Sequence, residues 1–335
     1  MAKTVDQAFA EFAKEFVDLD EEQTKRARSS RDWLESQLNG LADADPELPK
    51  LYPEKDIRFG SFARRTKIRP LDDIDLMVGL SAQGSTYDED NGVVAIIVPQ
   101  TAPTLRAYCH AGSDQLNSRR VINNLVLSLS KIHQYKKAEI NRAGEAATLQ
   151  LSYSWNFDIV PCFFTKPEAD GRTYYLIPDG QGAWKKTDPR LDRDTLSSMS
   201  QAHNGQILRV IRLLKYWNSR HTAPKMPSYL LETMAVYYYK AELNSQRTAS
   251  AWIDVEFLCL LTYLISAVRQ PVWDLKEIQG DLNRLTTDQR NKIMQRAKYD
   301  RDLGLQARKY EDAKNHRAAI KNWSAVFGSD FPKYG

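Results

Sequence analysis

The sequence predicts an α+β chain: a mixed β-sheet domain with amino-terminal helices, followed by a carboxy-terminal helical lobe. Three observations predict it. Phe9, Phe12, Ala13, Phe16 and Val17 recur at helical spacing near the start. Short apolar or alternating runs, punctuated by Gly, Pro and polar clusters, fill the segment 55–177. From about Asp192 onward the pattern is helical again. With 335 residues the chain can bury a full core and divides naturally into two lobes.

Residues 3–39 read as one or two amphipathic helices, sustained by Ala27, Trp33, Leu34, Gln37 and Leu38 and ending near Asn39-Gly40. Pro46, Pro49 and Pro53 mark a connection. Lys55 to Phe59 reads as a strand running into Gly60-Ser61, and Asp73 to Gly79 as its neighbour. The polar segment 81–92 reads as a loop and Leu116 to Ile132 as a helix. Thr148 to Tyr153, Trp155 to Phe164 and Thr173 to Ile177 read as strands. Helices over 192–202, 205–219, 228–242, 251–269, 282–298 and 301–323 complete the chain.

A hydrophobic content of 42% and a charged content of 27% are those of a globular protein. The net charge, 47 − 43 = +4, suits a nucleotide ligand but supplies no long nucleic-acid track, so strong nucleic-acid binding is not expected. Cys109, Cys162 and Cys259 form no CxxC, which favours a reducing compartment and argues against zinc. Early acidic residues (Asp6, Glu11, Glu15) break any signal-peptide pattern, and the longest apolar run, Phe257 to Val268, is short of the roughly 20 residues of a span. A cytoplasmic protein with no membrane partner is expected.

Asp73 and Asp75 stand two apart in a run with Ile74, Leu76, Met77 and Val78. In a strand both carboxylates project from one face. Two adjacent anions are costly unless something positive lies between them. Two hard cations, Mg²⁺ or alternatively Mn²⁺, held by carboxylate oxygens meet that need, and such a site serves nucleotidyl transfer. Asp158 supports this independently: Trp155, Phe157 and Ile159 alternate with Asn156 and Asp158, and a mid-strand aspartate needs a partner. The competing reading has the aspartates capping a loop or pairing Arg64, Arg65 or Arg69. Asp88-Glu89-Asp90 has the same spacing but lies in a polar stretch and reads as solvated, and Asp72 has the wrong parity. Gly60-Ser61 opens a short helix (61–66) whose N–H groups and Ser61 hydroxyl can hold a triphosphate.

Gly60-Ser61, Asp73-Ile74-Asp75 and Asp158 together resemble the DNA polymerase β-like nucleotidyltransferase superfamily. The run from Gly60 through Arg64-Arg65 and Arg69-Pro70 to Asp75 resembles the bacterial CD-NTases, relatives of cyclic GMP-AMP synthase and oligoadenylate synthase. Phe157-Asp158-Ile159-Val160-Pro161, Tyr175-Leu176-Ile177-Pro178, Trp184-Lys185-Lys186-Thr187-Asp188-Pro189, Leu213-Leu214-Lys215-Tyr216-Trp217-Asn218 and Pro227-Ser228-Tyr229-Leu230-Leu231-Glu232 extend the resemblance over roughly 55–240. It implies a polymerase β-like mixed sheet with an amino-terminal spine helix. It also implies a division into a nucleotidyltransferase core over 1–200 and a helical domain over 201–335 that completes the donor-nucleotide cleft.

The implied activity is synthesis of a cyclic di- or trinucleotide from nucleoside triphosphates, ATP and GTP by expectation, for CBASS-type antiphage signalling. Asp73, Asp75 and Asp158 are implied as catalytic metal ligands, Gly60, Ser61, Lys215 and Ser228 as triphosphate ligands, and Tyr229 as the platform for the donor base. Lys215, on an otherwise apolar helix, is also readable as a core-covering lysine, and Tyr229 as a core tyrosine. A linear-product nucleotidyltransferase and a catalytically silent nucleotide-binding scaffold are the alternatives. Some relatives are conjugated through a terminal small residue by a ubiquitin-transfer-like partner, which makes Gly335 a further expectation. His203 and His221 read as surface or capping residues, Tyr237-Tyr238-Tyr239 as helix packing, and Lys185-Lys186 as a solvated pair.

Overall fold

A computed structural model describes residues 2–151, 155–222 and 224–335, without the side chains of 42–44. In chain order it contains α1 (Val5–Phe12), α2 (Glu21–Ala44), β1 (Ile57–Phe59), α3 (Gly60–Ala63), β2 (Asp73–Gly79), β3 (Thr86–Asp90), β4 (Val93–Ile97), α4 (Pro103–Arg106), α5 (Ser118–Ser130), β5 (Glu139–Ala143), β6 (Ala146–Gln150), β7 (Asn156–Phe164), β8 (Tyr175–Pro178) and β9 (Trp184–Thr187). The helices α6 (Pro189–Ala202), α7 (Ile207–Ser219), α8 (Ser228–Asn244), α9 (Ile253–Ala267), α10 (Thr287–Asp312) and α11 (His316–Phe327) follow.

The chain divides into two compact units. A sheet unit comprises Glu21–Arg64 and Leu71–Arg193; a helical unit comprises Met1–Asp20, Arg65–Pro70 and Asp194–Gly335. The division expected at residue 200 therefore differs at the amino terminus. Phe9 and Phe12 of α1 are buried among rings of α11 and the segment after it: Phe9 lies 5.0 Å from Trp323 and 5.1 Å from Phe331, and Phe12 5.1 Å from Phe327. Residues 65–70 also belong to the helical unit. The Arg69 guanidinium donates to the carbonyls of Asp18 and Lys14, and Arg212 donates to Asp18 and to the Arg65 carbonyl.

The sheet unit holds one mixed sheet in the order β1-β2-β7-β8-β9-β4-β3, with β6 also pairing β7 and β5 pairing β6. At its centre β2 and β7 are parallel, while β1 joins β2, and β6 and β8 join β7, antiparallel. These two strands form because one face is apolar throughout: Ile74, Phe157 and Ile159 are buried, while Asp73, Asp75 and Asp158 on the opposite parity are partly exposed. Helix α5 buries Val121, Ile122, Leu125 and Leu129 and is capped by Asn117, whose side chain accepts from the N–H groups of Arg119 and Arg120. The spine helix α2 holds β1 through Glu35, which accepts from Arg58 at 2.6 and 2.8 Å.

Several elements depart from the sequence reading. Helix α2 continues through Asn39-Gly40 to Ala44, because Leu41 extends the buried stripe of Leu34 and Leu38 and outweighs the cost of one glycine. The segment 81–92 is not all loop: it contains β3, an edge strand whose acidic side chains stay outward while its backbone pairs β4. The helix expected over 61–66 is shorter, α3, and is followed by Arg65 in the left-handed region at φ 60°. Helix α10 runs unbroken through the expected stop near 299–300, because Asp300 is buried and takes the Trp217 indole N–H at 2.7 Å and the Arg296 guanidinium. The break falls at Lys314 (φ 60°), and Asn315 caps α11 by accepting from the Ala318 N–H. Of the strand expected over Thr148 to Tyr153, Ser152 and Tyr153 lie outside the described residues.

His203 is fully buried, not on the surface. Its Nδ1 accepts from the Ala249 N–H at 2.9 Å and its Nε2 faces the Tyr239 carbonyl at 3.1 Å, which requires the Nε2–H tautomer. Lys186 is likewise not solvated: it pairs Glu89 and Glu168 and lies 4.6 Å from the Tyr174 ring. Gly335 is exposed, and its N–H donates to the Ala2 carbonyl at 3.3 Å. No helix among the described residues is long and apolar enough to cross a membrane.

Candidate active site

Five of the residues singled out from the sequence fall in the sheet unit and converge on one edge of its central strands. The parallel register sets Asp75 beside Asp158 and Asp73 beside Asn156. Register partners in adjacent strands point to the same side about 4.8 Å apart, so the three carboxylates share a face. On the far side of β7, Thr148 of β6 pairs with Asp158, and its hydroxyl donates to the carboxylate at 2.7 Å. Thr148 was missed by the sequence reading. Nothing in its local pattern marks it, because the contact is created by the antiparallel register of β6 on β7.

On the other side, β1 places Phe59 opposite Asp75, and the chain turns into Gly60. Gly60 has φ +72°, and a Cβ built there would fall 1.7 Å from the Asp75 carboxylate oxygen. Glycine is required twice over, by the backbone and by the space the carboxylate occupies. Ser61 follows in α3, partly exposed. The turn and the acidic strand are thus one packed constellation.

As the side chains stand, no three His, Cys, Asp or Glu residues among the described ones are grouped as a ready-made metal site. The donor chemistry nevertheless fits a hard cation: every candidate ligand on this face is a carboxylate, and the Gly60 cradle and the Thr148 hydroxyl hold two of them. Cys109 and Cys162 do not fit as nucleophiles, because they are buried and burial pushes both thiols up.

The other three residues fall in the helical unit. Lys215 on α7 is buried and ion-paired to Glu232 of α8 at 2.8 Å, with side-chain exposures of 7% and 5%. Such a pair carries a desolvation cost that only close geometry offsets. Ser228 is the exposed first residue of α8. Tyr229, next to it, is partly buried, its hydroxyl donates to Asp274 at 2.8 Å, and Lys276 lies over its ring.

No family model matches the chain. A probable cyclic nucleotide synthase of Bacillus cereus strain VD146 is 43% identical over 341 residues, covering 100% of this chain and 99% of that protein. The chain is a bacterial CD-NTase. The cyclic AMP-AMP-AMP synthase of Escherichia coli strain MS 115-1 is 22% identical over 96% of both chains. The fold of this CD-NTase is shared with E. coli MS115-1 CdnC, solved with ATP and in complex with HORMA-deltaN. Both match with a TM-score of 0.68, at 19% and 20% identity, over at least 97% of each chain. The CD-NTase is accordingly a nucleotidyltransferase of the cyclic nucleotide synthase kind, built on the α+β fold of that family.

Proposed function

We propose that this CD-NTase joins nucleoside triphosphates, ATP first among them, into a cyclic di- or trinucleotide second messenger for CBASS-type antiphage defence. The observation that carries the chemistry is the constellation on β2 and β7: Asp75 beside Asp158 in register, Asp73 on the same face, and the Gly60-Ser61 turn packed against Asp75. Support for ATP comes from the relatives, one a cyclic AMP-AMP-AMP synthase and one solved with ATP. The HORMA-deltaN complex of CdnC supports a protein partner of similar kind.

In this reading Asp73, Asp75 and Asp158 would hold two Mg²⁺ or Mn²⁺ ions, which neutralise charge on the triphosphate and ease loss of the acceptor hydroxyl's proton. The protein's own groups do the rest. Gly60, Ser61, Lys215 and Ser228 bind the triphosphate, with Lys215 exchanging its Glu232 contact for phosphate oxygens. Tyr229 stacks on the donor base. Asp158, oriented by Thr148, lies nearest the acceptor hydroxyl and helps remove its proton. The hydroxyl attacks the α-phosphorus in line, pyrophosphate leaves, and positioning supplies much of the rate. A further round closes the ring.

Incubation with ATP, GTP, CTP and UTP and Mg²⁺, followed by mass analysis after phosphatase treatment, should yield resistant cyclic products. Asp73→Ala/Asp75→Ala should abolish them. Phosphatase-sensitive products alone would replace the cyclic assignment by a linear one, and full activity in the double variant would remove the metal assignment.

A further inference from the structure

Among the groups that the proposed chemistry does not use, a buried acid and a buried lysine converge on one partly exposed ring. Asp274 and Lys276 sit in the loop between α9 and α10, closed at its base by the Trp273–Asp281 bridge and by the Asp274 N–H on the Gly280 carbonyl at 2.8 Å. Their side chains are 0% and 3% exposed. The Asp274 carboxylate takes the Tyr229 hydroxyl at 2.8 Å and the backbone N–H groups of Ile278 and Gln279 at 3.2 and 3.0 Å. It also pairs Lys276 at 3.2 Å. The Lys276 ammonium bonds the Tyr229 hydroxyl and stands 4.1 Å from the ring centroid. Burial alone would raise the Asp274 carboxyl, but the Lys276 charge, the Gln279 N–H and the Tyr229 hydroxyl outweigh it and hold it below the ordinary value.

A tyrosine needed only for packing requires one acceptor for its hydroxyl. Here two opposite charges are removed from water, at a desolvation cost, to grip one ring that itself stays partly exposed at the start of α8. We propose that Asp274 and Lys276 are positioning residues that lock the Tyr229 ring as a platform for a purine base, with Lys276 setting the preference for purine over pyrimidine. This rests on the reading that Tyr229 stacks on the donor base. Asp274 fixes the ring by its hydroxyl, so stacking costs little further ordering. The Lys276 ammonium bonds the hydroxyl oxygen at the ring's edge and so draws electron density out of the ring. The ring becomes a better acceptor for the larger, more electron-rich π surface of a purine.

The test is direct binding and steady-state kinetics of the full chain with ATP and, separately, CTP in the presence of Mg²⁺. Stacking on one base is worth roughly 5- to 150-fold in affinity, so Tyr229→Ala should lose that much for ATP. Lys276→Met keeps the stem and removes the charge. It should raise KM for ATP about threefold or more, with kcat falling less than KM rises, and should narrow the ATP-to-CTP ratio. Lys276→Arg should restore both. If Tyr229→Ala loses ATP affinity while a folded Lys276→Met keeps the wild-type KM and base ratio, the clamp is wrong and the stacking reading survives. If Tyr229→Ala binds ATP like the wild type, stacking itself is wrong and the clamp falls with it. Should Lys276→Met not fold, Tyr229→Phe decides: it keeps the ring but frees it from Asp274, and an unchanged KM for ATP would overturn the proposal.

Discussion

The contact between Gly60 and Asp75 ties a backbone turn to the candidate chemistry through a single missing methyl. Gly60→Ala would place its Cβ 1.7 Å from the carboxylate oxygen and would also strain a φ of +72°. Asp75 must swing away or the turn must open, and displacement by about 1 Å at a reacting centre costs on the order of 10²-fold. Product formation is expected to fall at least that far while a thermal melt shows the fold retained. Thr148→Val is gentler, because the side chain keeps its shape and loses only the 2.7 Å bond to Asp158. Removal of such an orienting partner costs about 10–100-fold in activity or metal affinity. The rise in the Mg²⁺ concentration needed for half-maximal rate measures it. Gly60 and Asp75 were legible in the sequence as neighbours in a motif; Thr148 was not, since its role exists only through the β6–β7 register.

At the scale of elements, β2 and β7 were readable because each sets candidate carboxylates at fixed parity in an otherwise apolar run. Strands β3 and β5 are mostly exposed, and the backbone ladder with a neighbour, which leaves no periodicity in side chains, is what defines them. Helix α10 hid its continuity for the opposite reason: at the expected break the charged Asp300 is buried, and its partner Trp217 is distant in sequence. The start of β1 carries a pH-dependent element of its own. Asp56 accepts from the Gly79 N–H at 2.7 Å, and burial pushes its carboxyl up from 3.8 to about 6 despite that bond. The folded state therefore holds its proton more tightly than the unfolded one between about pH 4 and 6. Stability falls as pH rises through that window, and the full penalty applies above it. Asp56→Asn keeps an acceptor for Gly79 and removes the charge. It should stabilise by about 1–2 kcal/mol at pH 7.5, after allowance for partial solvation, and by little at pH 4. Denaturant midpoints at the two pH values check the sign.

Across the whole molecule, chain order and spatial order part company. The sequence places α1 next to α2 and suggests one amino-terminal helical element, yet residues 1–20 belong to the unit built by the last 140 or so residues, whereas Glu21 onward belongs to the sheet unit. Periodicity reports that Phe9, Phe12 and Val17 need an apolar partner but never which one. The choice is made by shape: Phe9 meets Trp323, Phe327 and Phe331 edge-on at 5.0, 5.8 and 5.1 Å, an aromatic cluster that no local pattern encodes. Phe9 is 3% exposed, so Phe9→Ala is expected to cost about 3–5 kcal/mol. For a unit of this size that lowers the melting temperature by roughly 6–20 °C. Hydrogen exchange should locate the effect. Amides of α7–α11 lose protection in Phe9→Ala, although they follow it by some two hundred residues. Those of β2 and β7, in the other unit, keep theirs. Equal loss in β2 and β7 would mean that the two units unfold as one and that their division has no energetic content.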